Sequence, residues 1–137
     1  MAEVFVRDRR VGFHHCDPAG IVFYPQYFVM IHELMEAWFT EALGTDYAAL
    51  VRDLGRGMPA VRVECEFLAP NPHGDVITFA LRVAKLGASS VTVGIEGRAR
   101  ETLCLRATVV AVHSSINPLK ALPFPDELRA AIQRFAP

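Results

Sequence analysis

From Gln26 to Leu43 the apolar residues Phe28, Ile31, Met35, Trp38 and Ala42 recur at spacings of three and four, with Leu34 and Phe39 widening the stripe. That period predicts an amphipathic helix packed over a broad face. Pro25 suits the first helical turn, where its missing amide hydrogen costs nothing, and Gly44 is a natural stop. Beyond Gly44 the period falls to two. Val61, Val63, Cys65, Phe67 and Ala69 alternate with Arg62, Glu64, Glu66 and Leu68, which predicts a strand with one buried and one mostly wet face. Ile77, Phe79, Leu81 and Val83 alternate with smaller or polar neighbours, as do Val91, Val93 and Ile95 with Thr92, Gly94 and Glu96. These are two strands expected to pair as an antiparallel hairpin across Gly87-Ala88-Ser89-Ser90. Leu103 to His113 is apolar on both faces and reads as a central strand, while Val4 to Phe13 is a weaker strand candidate. Asn71-Pro72-His73-Gly74-Asp75 is a turn, and Pro123-Phe124-Pro125 breaks the chain before a short helix whose Leu128, Ile132 and Phe135 share a face.

The order is therefore strand, long apolar helix, four strands in succession and a small terminal helix. It predicts an α+β fold, an antiparallel sheet packed on one major helix. A length of 137 residues suits a single domain spanning 1–137, able to bury roughly 65 to 70% of its unfolded surface. A lone sheet of this kind leaves edges unpaired, so self-association is expected.

Charge and cysteine content narrow the function classes. Lys+Arg 14 against Asp+Glu 15, with a sequence pI of about 6.5, gives no basic field to attract nucleic acid or an anionic membrane. No segment has the apolar length of a signal peptide core or a membrane span, and the expected location is cytoplasmic. Cys16, Cys65 and Cys104 are odd in number and lack CxxC spacing, which argues against a disulfide framework or structural zinc. Cys65 and Cys104 read as buried thiols.

The segment Phe13-His14-His15-Cys16-Asp17-Pro18-Ala19-Gly20-Ile21-Val22-Phe23-Tyr24-Pro25 carries one carboxylate directly ahead of the long helix. Asp17 admits two readings. Asp-Pro is common in turns because the side chain bonds a nearby amide, which makes Asp17 a structural Asx turn or cap. A helix N-terminus also offers unpaired amides and partial positive charge to an oxyanion, with Asp17 near enough to act on the same carbonyl. Thioesters suit so sparse a site. Thiols, with pKa near ~8.5, leave as thiolates without a dedicated general acid.

The more conspicuous neighbours carry less. Side chains of His14, His15, Cys16 and Asp17 alternate sides in an extended segment and cannot all converge on one metal ion. Cys16 with a neighbouring histidine lacks an orienting third group for nucleophilic catalysis. His32-Glu33-Leu34-Met35-Glu36 has Glu36 where a zincin needs its second histidine, so His32 and Glu36 read as an i,i+4 pair. His73 in a turn and His113 at a strand end read as structural or solvated. No cofactor is called for.

The run Cys16-Asp17-Pro18-Ala19-Gly20-Ile21-Val22-Phe23-Tyr24-Pro25-Gln26-Tyr27 closely resembles the signature of the 4-hydroxybenzoyl-CoA thioesterase family of hotdog-fold enzymes. The resemblance implies a curved antiparallel sheet wrapped around one long helix, with homodimers sharing a continuous sheet, often paired into homotetramers, and active sites at subunit interfaces. It implies hydrolysis of an acyl-CoA substrate, with Asp17 attacking the thioester carbonyl or activating water. The backbone amide of Tyr24, not its phenol, would polarise the thioester oxygen. Gly20 would let the backbone approach closely, and Ile21, Val22 and Tyr27 would wall the acyl group. Two departures stand out. His15 occupies a position where such proteins often carry an acid, and the basic cluster that some members carry after the third strand is missing from Lys85-Leu86-Gly87-Ala88-Ser89-Ser90. Lys120 or Arg129 from a neighbouring subunit would then have to meet the phosphates, or the carrier is not coenzyme A. Two other readings stay open on the same fold: hydration or dehydration of an acyl thioester, for which no His/Asp pair is visible on the long helix, and a non-catalytic acyl-thioester binding or complex-forming module.

Overall fold

Alternating apolar residues place five strands in one antiparallel sheet, and a computed structural model describes it across residues 1–137. In chain order the elements are β1 (Phe5–Arg10), α1 (Tyr24–Ala37), α2 (Tyr47–Arg52), β2 (Arg56–Gly57), β3 (Ala60–Phe67), β4 (Val76–Leu86), β5 (Ser90–Ala99), β6 (Thr102–Val112), β7 (Ser114–Ile116), β8 (Leu119–Ala121) and α3 (Asp126–Gln133). The main sheet runs β1-β4-β5-β6-β3, and β2-β7-β8 form a small second sheet. β4 and β5 pair antiparallel as the hairpin pattern requires, with Leu81 opposite Ile95 and Val83 opposite Val93.

One face of the sheet supplies Ile77, Phe79, Leu81 and Val83 from β4, Val91, Val93 and Ile95 from β5, and Leu105, Ala107, Val109 and Ala111 from β6. They share a single core cluster with Tyr27, Met30, Ile31 and Leu34 of α1 and with Trp38 and Phe39 beyond it. The buried stripe of α1 is thus turned from the one the spacing predicts. Phe28 and Met35 stand at its margin, half-buried, because the helix is apolar on that side as well and there lines a cavity.

The helical stretch starts at Tyr24, two residues ahead of the expected Gln26, and its last turn from Trp38 to Ala42 is a π-turn. There the Leu43 N–H reaches the Trp38 carbonyl at 3.0 Å, and Gly44 then takes φ of 71° to stop the helix. Such a left-handed stop suits glycine, which has no Cβ to clash. The small helix α2 and the small sheet have no counterpart in the periodicity: their segments are too short to show a repeat. α2 depends on a local cap, Asp46 accepting from the Ala48 N–H at 3.2 Å.

β3 departs most from expectation. It is an edge strand with β6 as its one neighbour, and its supposed buried face is largely open: Val61 is 63% exposed, Val63 44% and Phe67 47%. Cys65, expected buried, is only half-buried, whereas Cys104 is 1% exposed. Alternation predicts which residues share a face; it does not say whether the chain itself covers that face.

Candidate functional site

The segment before α1 folds back on itself through backbone bonds. The Asp17 N–H donates to the Ile21 carbonyl at 3.0 Å and the Gly20 N–H to the Asp17 carbonyl at 2.9 Å, with Gly20 at φ of 77°. Glycine at that position lets the loop close tightly. Cys16 bridges Val22 across the loop, and the Phe23 N–H donates to the His15 carbonyl at 2.9 Å. The loop stands on the Asn71–Asp75 turn. The Val22 N–H donates to the Asn71 carbonyl and the His73 N–H to the Gly20 carbonyl, each at 3.0 Å.

Asp17 forms the Asx turn that its sequence allowed. Its Oδ1 accepts from the Ala19 N–H at 2.9 Å, an Asx turn, and this fixes the carboxylate by one oxygen. The side chain stays half-buried on a cleft of about 670 Å³ lined by Phe13, His14, Cys16, Asp17, Pro18, Gly20 and His73. Oδ2 makes no hydrogen bond within the chain.

The start of α1 is uncapped by any side chain. Pro25 contributes no N–H, and the Gln26 N–H turns back to the Phe23 carbonyl at 2.8 Å. The Tyr24 N–H enters none of the loop or cap hydrogen bonds, so it heads the helix dipole as a free donor. The Tyr24 ring is 59% exposed.

Two of the four residues expected to line the substrate are core residues. Val22 and Tyr27 are 6% and 4% exposed and belong to the core, while Gly20 lines the cleft and Ile21 is half-buried beside it. The Val22 and Tyr27 side chains face inward, and both residues donate to Asn71 of the turn below. The Tyr27 phenol donates to Asn71 Oδ1 at 2.6 Å, and burial, with the nearby Cys104, Asp75 and Cys65, pushes its pKa up to about 12. It is a fixed donor.

His15 is 1% exposed and takes the Gly12 N–H on its Nδ1 at 2.9 Å. Burial, then the charges of His14 and Arg9, push its pKa down against the opposing pull of Glu33. The position where similar proteins often carry an acid therefore adds no negative charge next to Asp17. Cys16 turns its Sγ to the Gly12 carbonyl at 3.6 Å, not to an imidazole, and burial with Glu66 raises the Cys65 thiol. Neither is set up as a thiolate nucleophile. No group of three or more His, Cys, Asp or Glu side chains is arranged to hold a metal ion.

The remaining histidines and cations sort simply. His32 and Glu36 form the expected exposed pair at 3.5 Å, His73 packs its ring 5.8 Å from that of Phe13, and His113 is fully buried with Nδ1 against the Leu122 carbonyl. Arg129 donates to the Gly87 carbonyl at 2.7 Å and is therefore tied to the β4–β5 loop of the same chain, while Lys85 and Lys120 are exposed.

Two features were missed in the sequence. Phe67 lies over the first turns of α1, its ring 6.1 Å from Tyr24, 5.5 Å from Tyr27 and 6.2 Å from Phe28. Beyond Phe28 an apolar cavity of about 420 Å³ runs along α1 to Phe39, sharing no lining residue with the Asp17 cleft. Neither left a local signal, since each joins α1 to β3 or to the small sheet.

Comparison with known proteins bears on this geometry. The model of the family described as the Thioesterase-like superfamily matches residues 11–132. A 1,4-dihydroxy-2-naphthoyl-CoA hydrolase from Synechocystis sp. is 28% identical over 131 residues, covering 93% of this chain and 94% of its own. A gentisyl-coenzyme A thioesterase superposes with a TM-score of 0.85 at 28% identity, covering 93% of this chain and 98% of the other. A 4-hydroxybenzoyl-CoA thioesterase mutant complexed with 4-hydroxybenzoyl-CoA shares the fold, with a TM-score of 0.88 at 22% identity over 96% of this chain and 99% of the other. No helix of the chain is long and apolar enough to cross a membrane.

Proposed function

Because the chain belongs to the Thioesterase-like superfamily, we propose that it hydrolyses an acyl-CoA thioester at the entrance of α1. The observation that carries this reading is the half-buried Asp17 carboxylate, held by one oxygen on the Ala19 N–H and open at the other, ahead of an uncapped helix.

Oδ2 of Asp17 either attacks the thioester carbonyl or takes a proton from an attacking water. In both routes the carbonyl oxygen gains charge, and the Tyr24 N–H, backed by the helix dipole, donates to it. The C–S bond breaks and coenzyme A departs as a thiolate that needs no acid. On the covalent route water then opens the acyl-aspartyl anhydride; on the direct route the acid forms at once. The products are the same: a carboxylic acid and a thiol.

The acyl group is proposed to be aromatic. The similar hydrolase and the similar thioesterase are named for aryl-CoA substrates, and Phe23, Tyr24 and Phe67 expose rings around the helix start. The apolar cavity along α1 is the observation that favours an aliphatic chain instead. The exposed β3 edge supports a homodimer, with a homotetramer as the next order of assembly, whose sites form between subunits. A thiol-release assay over aromatic, short aliphatic and long-chain acyl-CoAs tests the reading. Release fastest with aromatic substrates is expected; binding of acyl-CoA with no thiol released from any of them would contradict hydrolysis.

A further inference from the structure

Asn71 was legible only as a turn residue, yet it is 0% exposed and both polar atoms of its side chain are hydrogen-bonded. Its Oδ1 accepts the Tyr27 phenol at 2.6 Å, and its Nδ2 donates to Asp75 Oδ2 at 3.0 Å and to Cys104 Sγ at 3.2 Å. Its backbone carbonyl accepts the Val22 N–H at 3.0 Å. One residue thereby grips the chain two positions before Tyr24 and the helix three positions after it. The next residues of the same turn hold the other half of the loop. Pro72 bridges Ile21, and the His73 N–H holds the Gly20 carbonyl at 3.0 Å, next to the turn that closes on Asp17.

The turn itself is anchored. Asp75 is ion-paired with Arg100, and its backbone carbonyl accepts the Val11 N–H at 2.7 Å. Asn71 links this anchor to the helix start, and its bonds to Tyr27 and Cys104 are buried, where each is strong and costly to lose. A cleft polar residue would touch ligand; Asn71 lines neither cavity.

We propose that Asn71 is a positioning residue which sets the distance between the Asp17 carboxylate and the Tyr24 N–H, with Tyr27 as its partner on the helix. Such a role presupposes that Asp17 is the reacting carboxylate. Reaction rates fall by about 10²-fold when reacting groups are displaced by about 1 Å, whereas substrate binding is far less sensitive.

The test compares Asn71→Ala, Tyr27→Phe and the double variant in the thiol-release assay, with Asp17→Asn run in parallel. Tyr27→Phe removes a single hydroxyl and keeps the ring, so it remains informative where Asn71→Ala fails to fold. The expected result is a kcat about 10- to 100-fold lower for each single variant, KM within about threefold of wild type, and a double variant no slower than the slower single. Wild-type kcat in Tyr27→Phe and in folded Asn71→Ala, while Asp17→Asn is inactive, would overturn the positioning role alone. A rise in KM at unchanged kcat, or losses that multiply in the double variant, would overturn it too. Full turnover by Asp17→Asn would remove its premise as well.

Discussion

The Gly12 N–H donates to Nδ1 of His15 at 2.9 Å, so the buried imidazole enters the fold as an acceptor and must be unprotonated there. Its pKa is pushed down, first by burial and then by His14 and Arg9. The unfolded chain, with an ordinary histidine near 6.5, therefore binds more protons than the folded one below that pH. His15 contributes stability that is fully present above about 6.5 and is lost as pH falls through its folded pKa. Urea unfolding midpoints should thus decline as pH drops below that value. His15→Asn, whose Oδ1 accepts from the same amide, should flatten the part of the decline due to His15; an unchanged slope would show that His15 is not the group responsible.

Tyr24 offers a separation of backbone from side chain. Tyr24→Phe keeps the amide and the ring that meets Phe67, and should leave kcat within about twofold of wild type. Tyr24→Pro keeps helical φ at the first position but removes the N–H, and the loss of one oxyanion donor should lower kcat by ~10² to 10³. Steady-state thiol release measures both. A Tyr24→Phe variant as slow as Tyr24→Pro would assign the role to the phenol.

The open β3 edge predicts assembly. Val61 and Val63 present apolar side chains on a strand with one unpaired side, a surface a solitary chain rarely leaves bare. Sedimentation equilibrium should find a dimer or tetramer for wild type. Val61→Lys combined with Val63→Lys should shift it toward monomer and cost most of the turnover. A monomeric wild type, or a fully active monomeric variant, would show that one chain completes the site.

Much of this was written in the chain, and unevenly. Pro25 and Gly44 mark the helix because they act locally, one by lacking an N–H and the other by tolerating φ of 71°. The β4–β5 hairpin and the face shared by Leu128, Ile132 and Phe135 follow from periodicity alone. The π-turn after Trp38 has no such mark, since an i→i+5 bond selects no residue type. Asp17 was legible as an Asx turn, and its proposed catalytic role only through its resemblance to known sequences. The buried contacts of Asn71 left no local mark, because its distant partners Tyr27 and Cys104 reach it only once α1 and β6 are packed against the turn. The burial of Val22 and Tyr27 was equally hidden, because proximity along the chain to Asp17 says nothing of which way a side chain points.

The central claim rests on one carboxylate, and Asp17→Asn isolates it. Asparagine keeps the size of the side chain and an oxygen for the Ala19 N–H, so the loop should stay folded with thermal unfolding close to wild type. The measurement is kcat for thiol release from the best acyl-CoA substrate of wild type. A fall of at least about 10²-fold with retained substrate binding is the predicted result; turnover near wild type in the folded variant would contradict the account.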